Sequence, residues 1–436
     1  MKKKIISALL ATVMLMGSLT GCGNNSEQSK ESAESTKKEE STEAVSSETD
    51  NSIKGTITFA QHRTDLETEI NALIADFNKI YPDITVNLET IADYQNVMGV
   101  RLASKEVPDV LEMRSLIIDR DKWADYFAPL NDTKLYGKNL FDDYYSVDGQ
   151  LYGYNQIGGY ICMMYNKDLY AQAGIEELPT TWAEFEEVLE KLSQLDGVIP
   201  LTTQYKTEWA IQYWLCYYIP SVLGNEWYTS MTKTDAPFSE ETVTMVLNNV
   251  RSAVDQGYCD PELMSSDWDL QATDFVAGKI GTYCCGTYAY STMTALGMNP
   301  DSIGFYAFPD ADLTKDGKPS VYAPADWAFA ISKDTENYEA AVAFAEFLGE
   351  NYTSYTNQIT SAKGETVNIE AVNEMLEAEP TIVTEGVQDP VYTAINNDAG
   401  ISMGAIVQEY LVADDPATVL EKYNSMWAEA LGRYSE

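Results

Sequence analysis

The chain has 436 residues, with 68 acidic side chains against 28 basic ones and a formal net charge of -40. A nucleic-acid binder needs clustered Lys and Arg to displace counterions, which this balance excludes, and it disfavours a protein held to anionic lipid by a basic patch. Hydrophobic residues at 45% and charged residues at 22% suit a folded chain of several domains and match no collagen, coiled-coil or disulfide-dense composition.

Lys2, Lys3 and Lys4 form a basic start, and residues 5–16 form an apolar stretch of signal-peptide length, too short to span a bilayer as a stable helix. Leu19-Thr20-Gly21-Cys22 resembles the bacterial lipobox, which implies cleavage before Cys22 and acyl chains on that residue. The alternative is a secreted protein with a chance cysteine there. Each buried CH₂ of an acyl chain contributes about 0.8 kcal/mol, so two or three chains hold a protein firmly to a membrane. Residues 23–52 are rich in Ser, Glu, Thr and Lys with almost no large apolar side chain, a composition that cannot offset the entropy of ordering. As a flexible tether, a segment of this length spans roughly 30 Å. The expected order is therefore a signal peptide over 1–21, a lipidated cysteine and linker over 22–52, and a folded head from 53. Cys162, Cys216, Cys259, Cys284 and Cys285 are an odd set, so at least one thiol is free or pairs elsewhere. Their spacing fits no zinc pattern, and adjacent Cys284 and Cys285 read as two small buried residues on a strand.

The head alternates strands and helices. Residues 57–63 read as a strand with a polar end. Thr64 and Glu67 match a capping box ahead of an amphipathic helix carrying Leu66, Ile70, Leu73, Ile74 and Phe77 on one face, stopped by Tyr81-Pro82-Asp83. Strands follow at 84–91 and 108–113, an order that argues for an α/β domain with a largely parallel sheet. Asp148-Gly149 is a hairpin turn into a strand at 151–155, and 160–165 is another strand. Thr181 and Glu184 open a second helix with Trp182, Phe185, Val188, Leu189 and Leu192 on one face. Strands are expected at 199–203, 280–286, 303–308 and 328–332. Helices are expected at 240–256, at 337–348 with Gly349 as its C-terminal cap, and from Pro416 through Leu431. Asp310, Asp312, Asp316 and Gly317 superficially suggest a calcium loop, but the glycine falls late for an EF-hand and a polar turn is the better reading.

Six blocks in order carry a family resemblance: FNKIYPDITV at 77–86, PDV at 108–110, DGQLYG at 148–153, YNKDL at 165–169 with PTTWAEF at 179–185, FVAGKIG at 275–281 followed by Gly286 and Tyr288, and DWAFAISK at 326–333. Together they resemble the extracellular solute-binding proteins of ABC importers, the family that includes the maltose-binding protein. Asn155 stands where a proline usually follows, and Tyr288 where the family often has Trp. The resemblance implies an α/β, two-lobed periplasmic-binding-protein-like fold of type II with a ligand cleft between lobes. It divides the head into an N-terminal lobe of 53–158 plus 316–366 and a C-terminal lobe of 159–315 plus 367–436. Crossings are expected near Gly158, within 308–317 and near Gly364. It also implies a monomer that takes up a sugar or oligosaccharide outside the membrane and delivers it to permease transmembrane subunits, anchored by lipid on Cys22, without a cofactor.

A sugar offers apolar C–H faces and a rim of hydroxyls, so its site stacks aromatic rings and sets polar side chains around them. With 29 Tyr and 8 Trp against 12 Phe, amphipathic aromatics dominate, although any single one is more often core or surface. Placement at strand ends selects Gln61, His62, Arg63, Glu112, Asn155, Glu208, Trp209, Tyr288, Asp326 and Trp327 as candidate ligand contacts. A single histidine excludes a multi-His metal site, and no metal is expected. No nucleophile elbow, zinc-protease helix, phosphate loop or dinucleotide glycine motif occurs, so no enzyme activity or catalytic residue is expected, with a surface enzyme or adhesin a remote alternative. A polyamine is the alternative ligand, since Glu112, Glu208 and Asp326 beside aromatics would suit cations.

Overall fold

The computed structural model describes residues 52–114, 117–365 and 367–434. The expected signal peptide, Cys22 and nearly all of the linker lie outside the described residues. No helix among the described residues is long and apolar enough to cross a membrane. The strands, in chain order, are β1 (Gly55–Gln61), β2 (Ile84–Thr90), β3 (Val110–Met113), β4 (Ser146–Val147), β5 (Gln150–Leu151), β6 (Tyr154–Asn155), β7 (Ile161–Asn166), β8 (Ile199–Thr202), β9 (Ile280–Gly286), β10 (Ile303–Tyr306), β11 (Ser320–Ala323), β12 (Ala328–Ile331) and β13 (Thr381–Thr384).

They build two principal sheets. The first runs β2-β1-β3-β12-β6, parallel through its first three strands and antiparallel beyond. Phe59 of β1 sits opposite Leu88 and Val110, and its ring meets Phe344 edge-on at 5.4 Å. Phe344 lies on helix Tyr338–Thr356, where it also meets Phe77 of helix Glu67–Ile80 at 5.0 Å. Ile70, Leu73, Ile74 and Phe77 are all buried, as the spacing of three and four residues requires.

The second sheet runs β13-β11-β7-β9-β8, with β10 also paired to β7. It is covered on both faces, which is why β9 reads as an unbroken run of buried residues. Cys284 faces one core while Cys162 and Cys285, opposite each other across β7 and β9, face the other. The five described cysteines are free thiols. Asp148 and Gly149 have positive φ and close the β4–β5 hairpin. Thr181 and Glu184 form the expected capping box on helix Trp182–Ser193.

Three expectations are corrected. Thr64 does not cap a helix: residues Thr64–Leu66 form a 3-10 turn, and helix Glu67–Ile80 begins without a side-chain cap. Gly349 does not end its helix, which continues to Thr356 and closes on left-handed Asn357. A Cβ at Gly349 would come within 2.6 Å of Leu135, so the glycine serves close packing. Finally, the chain does not cross between sheets within 308–317, and residues 320–323 do not belong with the first sheet. The backbone at Phe308 pairs with Ser320, and Asp310 accepts the Ser320 N–H at 2.8 Å and its hydroxyl at 2.5 Å. That turn returns the chain into the second sheet as β11, and the crossing follows at 324–327.

Three segments therefore connect the sheets, around 156–160, 324–327 and 357–365, and they are laced together. Gln156 N–H donates to Trp327 O at 2.8 Å, and Gly158 N–H to Ile359 O at 2.7 Å. The buried Asn155 side chain accepts from Asp326 N–H at 2.8 Å, while its carbonyl accepts from Asn139 and Ser361, each at 2.9 Å.

Candidate ligand-binding cleft

A cleft of about 270 Å³ opens against these segments, between the ends of β1 and β3 on one side and of β9 on the other. Strand ends of an open α/β sheet leave such a crevice because adjacent loops diverge there. Arg63, Arg114, Tyr213, Tyr217, Tyr288 and Asp326 are among its lining residues.

The first sheet contributes Arg63, Arg114 and Asp326 to the lining, and beside them in sequence stands an aromatic stack held from behind by a buried carboxylate. His62 lies over Trp327 with ring centroids 4.7 Å apart and planes 25° apart, and Tyr94 meets Trp327 edge-on at 5.4 Å. Glu112 is fully buried. Its Oε2 accepts the His62 N–H at 2.7 Å and faces His62 Nδ1 at 2.5 Å, while Oε1 accepts from Gln156 at 2.7 Å. Charge-assisted bonds of this kind fix a ring's orientation. Arg63 makes a two-pronged contact with Asp65, at 2.8 and 2.7 Å. Burial opposes the charge on Arg63, but the fork with Asp65 outweighs it and the guanidinium pKa rises.

The facing wall is a ribbon of rings. Trp268 lies 5.3 Å from Trp209 and 5.8 Å from Tyr288, Trp209 lies 6.1 Å from Tyr213, and Tyr213 lies 4.9 Å from Tyr217. Tyr213 and Tyr217 are one helical turn apart and so share a face. The hydroxyls of Tyr213 and Tyr288 are 3.2 Å apart, and Tyr217 continues to Tyr322 at 5.3 Å. Trp209 remains 45% exposed at the outer end of the ribbon.

Between the walls lies a charged floor. Arg114, just beyond β3, donates to Ala325 O at 3.2 Å and stands 3.8 Å from Asp326. Glu385, just beyond β13, accepts the N–H of the same Ala325 at 2.9 Å. One residue of the crossing is thus held through its carbonyl from the first sheet and through its N–H from the second. Burial opposes the Arg114 charge, yet Asp326 and the surrounding tyrosines and carboxylate raise its pKa. Burial drives the Glu385 carboxyl up to about 7 against the pull of Arg114 and the Ala325 N–H.

The model of the bacterial extracellular solute-binding protein family matches residues 62–351. The chain belongs to that family. Among relatives of the solute-binding proteins, a multiple sugar-binding protein from Streptococcus mutans is 21% identical over 305 residues, covering 68% of this chain and 71% of the relative. Among solved structures, the ABC-transporter binding protein BlMnBP1 from Bifidobacterium animalis subsp. lactis, in complex with mannobiose, is 25% identical with a TM-score of 0.72. The match covers 88% of this chain and 96% of that one. Apo RafE from Streptococcus pneumoniae, at 17% identity and a TM-score of 0.67, covers 87% of this chain and 98% of its own, and shares the fold.

In this solute-binding protein the candidate contacts fall into three groups. Arg63, Tyr288 and Asp326 line the cleft, and His62 and Trp327, their sequence neighbours, stack on each other, with Trp209 at the ribbon's edge. Gln61, Glu112 and Asn155 are buried behind it. Gln61 is engaged with Thr90 at 2.8 Å and with the Arg63 backbone, Glu112 with His62 and Gln156, and Asn155 with the crossing. Glu208 sits on the exposed start of helix Glu208–Ile211 and accepts from Ser402. Not singled out by sequence were Tyr213, Tyr217, Trp268 and Glu385. The i, i+4 pair of tyrosines ahead of Pro220 was the one visible signal for a helical aromatic face.

Proposed function

We propose that this protein is the substrate-binding lipoprotein of an ABC importer, capturing an oligosaccharide outside the membrane and presenting it to the permease. The observation that carries the reading is a cleft lined by the rings of Tyr213, Tyr217 and Tyr288 and by the charges of Arg63, Arg114 and Asp326, with the His62–Trp327 stack next to Arg63 and Asp326 in sequence and Trp209 and Trp268 against Tyr288. Such rings suit the apolar faces of sugars, and such charges suit their hydroxyls. The sugar-binding names of the relatives support the same ligand class. In this reading Arg63, His62, Trp209, Tyr288, Asp326 and Trp327 touch ligand, while Gln61, Glu112 and Asn155 hold them. The N-terminal lobe is 53–158 plus 324–366, the C-terminal lobe is 159–323 plus 367–436, and rotation about the laced crossings closes the cleft. The head acts as a monomer, without turnover of its ligand, on a tether from acylated Cys22 to the outer face of the cell membrane.

A thermal-shift screen tests this against mannobiose, mannotriose, raffinose and spermidine. A ligand at 100 times its Kd adds about 2.7 kcal/mol to the bound form. A shift from one oligosaccharide series that persists in high salt is the expected result. A shift from spermidine alone, abolished by salt, would replace the sugar with a polyamine.

A further inference from the structure

Every cation that lines the cleft already has an anion. Arg63 is forked onto Asp65. Arg114 faces Asp326 at 3.8 Å, and Glu385 reaches the same residue of the crossing, Ala325, that Arg114 holds. Adding Glu112, two guanidinium groups meet four carboxylates at this site, in a chain of net charge -40. An anionic sugar entering here would find no unmatched positive charge, and closure of the lobes would strengthen the repulsion by removing water.

We propose that Glu385 is a specificity-determining residue: by neutralising Arg114 from the opposite sheet, it restricts the cleft to uncharged oligosaccharides and turns away sugars bearing carboxylates. This rests on the oligosaccharide reading above. Glu385 acts through Arg114 and the Ala325 peptide rather than on the sugar, so it is a positioning residue. The other groups facing it are Asp326, Tyr145, Tyr217, Tyr228, Tyr322 and Cys216. Burial keeps the four tyrosines and the thiol protonated, so they contribute no charge. Burial pushes the Glu385 carboxyl up to about 7, so the barrier to anions is present above that pH and relaxes below it.

The test is calorimetric titration of the purified protein with two trisaccharides. One is neutral, either mannotriose or raffinose, whichever gives the larger thermal shift; the other is trigalacturonic acid, which is ionised throughout. The quantity read is the ratio of neutral to acidic affinity. At pH 8 and low salt the wild-type ratio is high, and Glu385→Gln, which keeps an oxygen for the Ala325 N–H, lowers it on the order of tenfold. In the wild type, moving from pH 8 to pH 6 lowers the ratio in the same direction, and the variant loses that part of the pH dependence. Where Glu385→Gln folds poorly, Glu385→Ser supplies the same comparison with wild type at pH 8. A ratio that is the same in wild type and variant at pH 8, or a wild type that takes both sugars equally at pH 8, overturns the proposal while leaving the sugar reading intact. A wild type that binds neither trisaccharide overturns both.

Discussion

Glu112 offers the sharpest test of how the His62–Trp327 stack is held. It is fully buried, and its two oxygens take the His62 backbone N–H at 2.7 Å, His62 Nδ1 at 2.5 Å and the Gln156 amide at 2.7 Å. Glu112→Ala deletes all three bonds and leaves a void. A buried donor stripped of its partner costs about 1–3 kcal/mol. His62, partly exposed, can recover water, whereas Gln156 and the His62 peptide are enclosed, so the net loss is about 3–4 kcal/mol. At roughly 2–4 °C per kcal/mol for a unit of lobe size, Tm falls by about 6–16 °C. Glu112→Gln behaves differently. Its oxygen can stay with His62, while its new amide donates to Gln156 once that side chain flips to present its own oxygen. The loss then shrinks to about 1–1.5 kcal/mol, the difference between a charged and a neutral bond. Thermal unfolding followed by circular dichroism measures both. Equal losses in the two variants, or less than about 1 kcal/mol in Glu112→Ala, would refute the claim that this carboxylate supports the stack.

Trp209→Ala is expected to weaken sugar binding by at least about tenfold with little change in melting, because the ring is 45% exposed and packs only at the edge of the ribbon; near-native affinity in titration would remove it from the site. Gly158→Ala would set a Cβ 2.4 Å from Thr360 O, a backbone atom that cannot swing aside. The variant should lose about 1–3 kcal/mol and change the lobe separation seen by small-angle scattering, and a variant matching wild type in both would show that the crossings are not so tightly laced. Burial pushes the Asp310 carboxyl up to about 7. A group whose folded pKa is raised stabilises fully below its unfolded value and loses that contribution as pH rises through 7. Tm of the wild type should therefore decline between pH 5 and pH 8, and Asp310→Asn should flatten the decline; an unaltered slope would count against the buried carboxyl.

Much of the fold could be read from local pattern, and its failures have identifiable causes. The helix opened by Thr181 and the strand at Ile280–Gly286 were legible because capping chemistry, periodicity and burial agree there. Gly349 misled because a glycine at the end of an apolar run signals a cap, whereas here it admits Leu135 against the middle of a helix. The course of 308–323 was misjudged because a buried carboxylate, Asp310, closes the turn, and nothing in the local sequence distinguishes it from the exposed aspartates that follow. The cleft divides the same way. Strand ends led to Arg63 and Asp326, which line the cleft, since polar residues there face a crevice. Glu385 follows an edge strand whose alternation is only partly buried, and its meaning depends on Arg114 and Ala325, which only the folded chain brings beside it.

The residues that shape the cleft are also those that join the lobes, and this bears on how binding becomes movement. Trp327 presents its ring to His62 while its carbonyl takes the Gln156 N–H. Gln156 in turn holds Glu112, which orients His62. Asp326 lines the cleft while its N–H is fixed by Asn155 at the first crossing. A ligand pressing on the Trp327 ring or on Asp326 therefore bears directly on two of the three crossings, with no intervening chain of side chains. A ligand shifts the balance between open and closed forms only by contacts that differ between them. The contacts proposed above for Trp327 and Asp326 would sit on the crossing peptides themselves. Truncating Trp327 should consequently alter the ligand-induced change in scattering radius more than truncating Trp209, which touches no crossing segment, even when ligand is raised to saturate both variants.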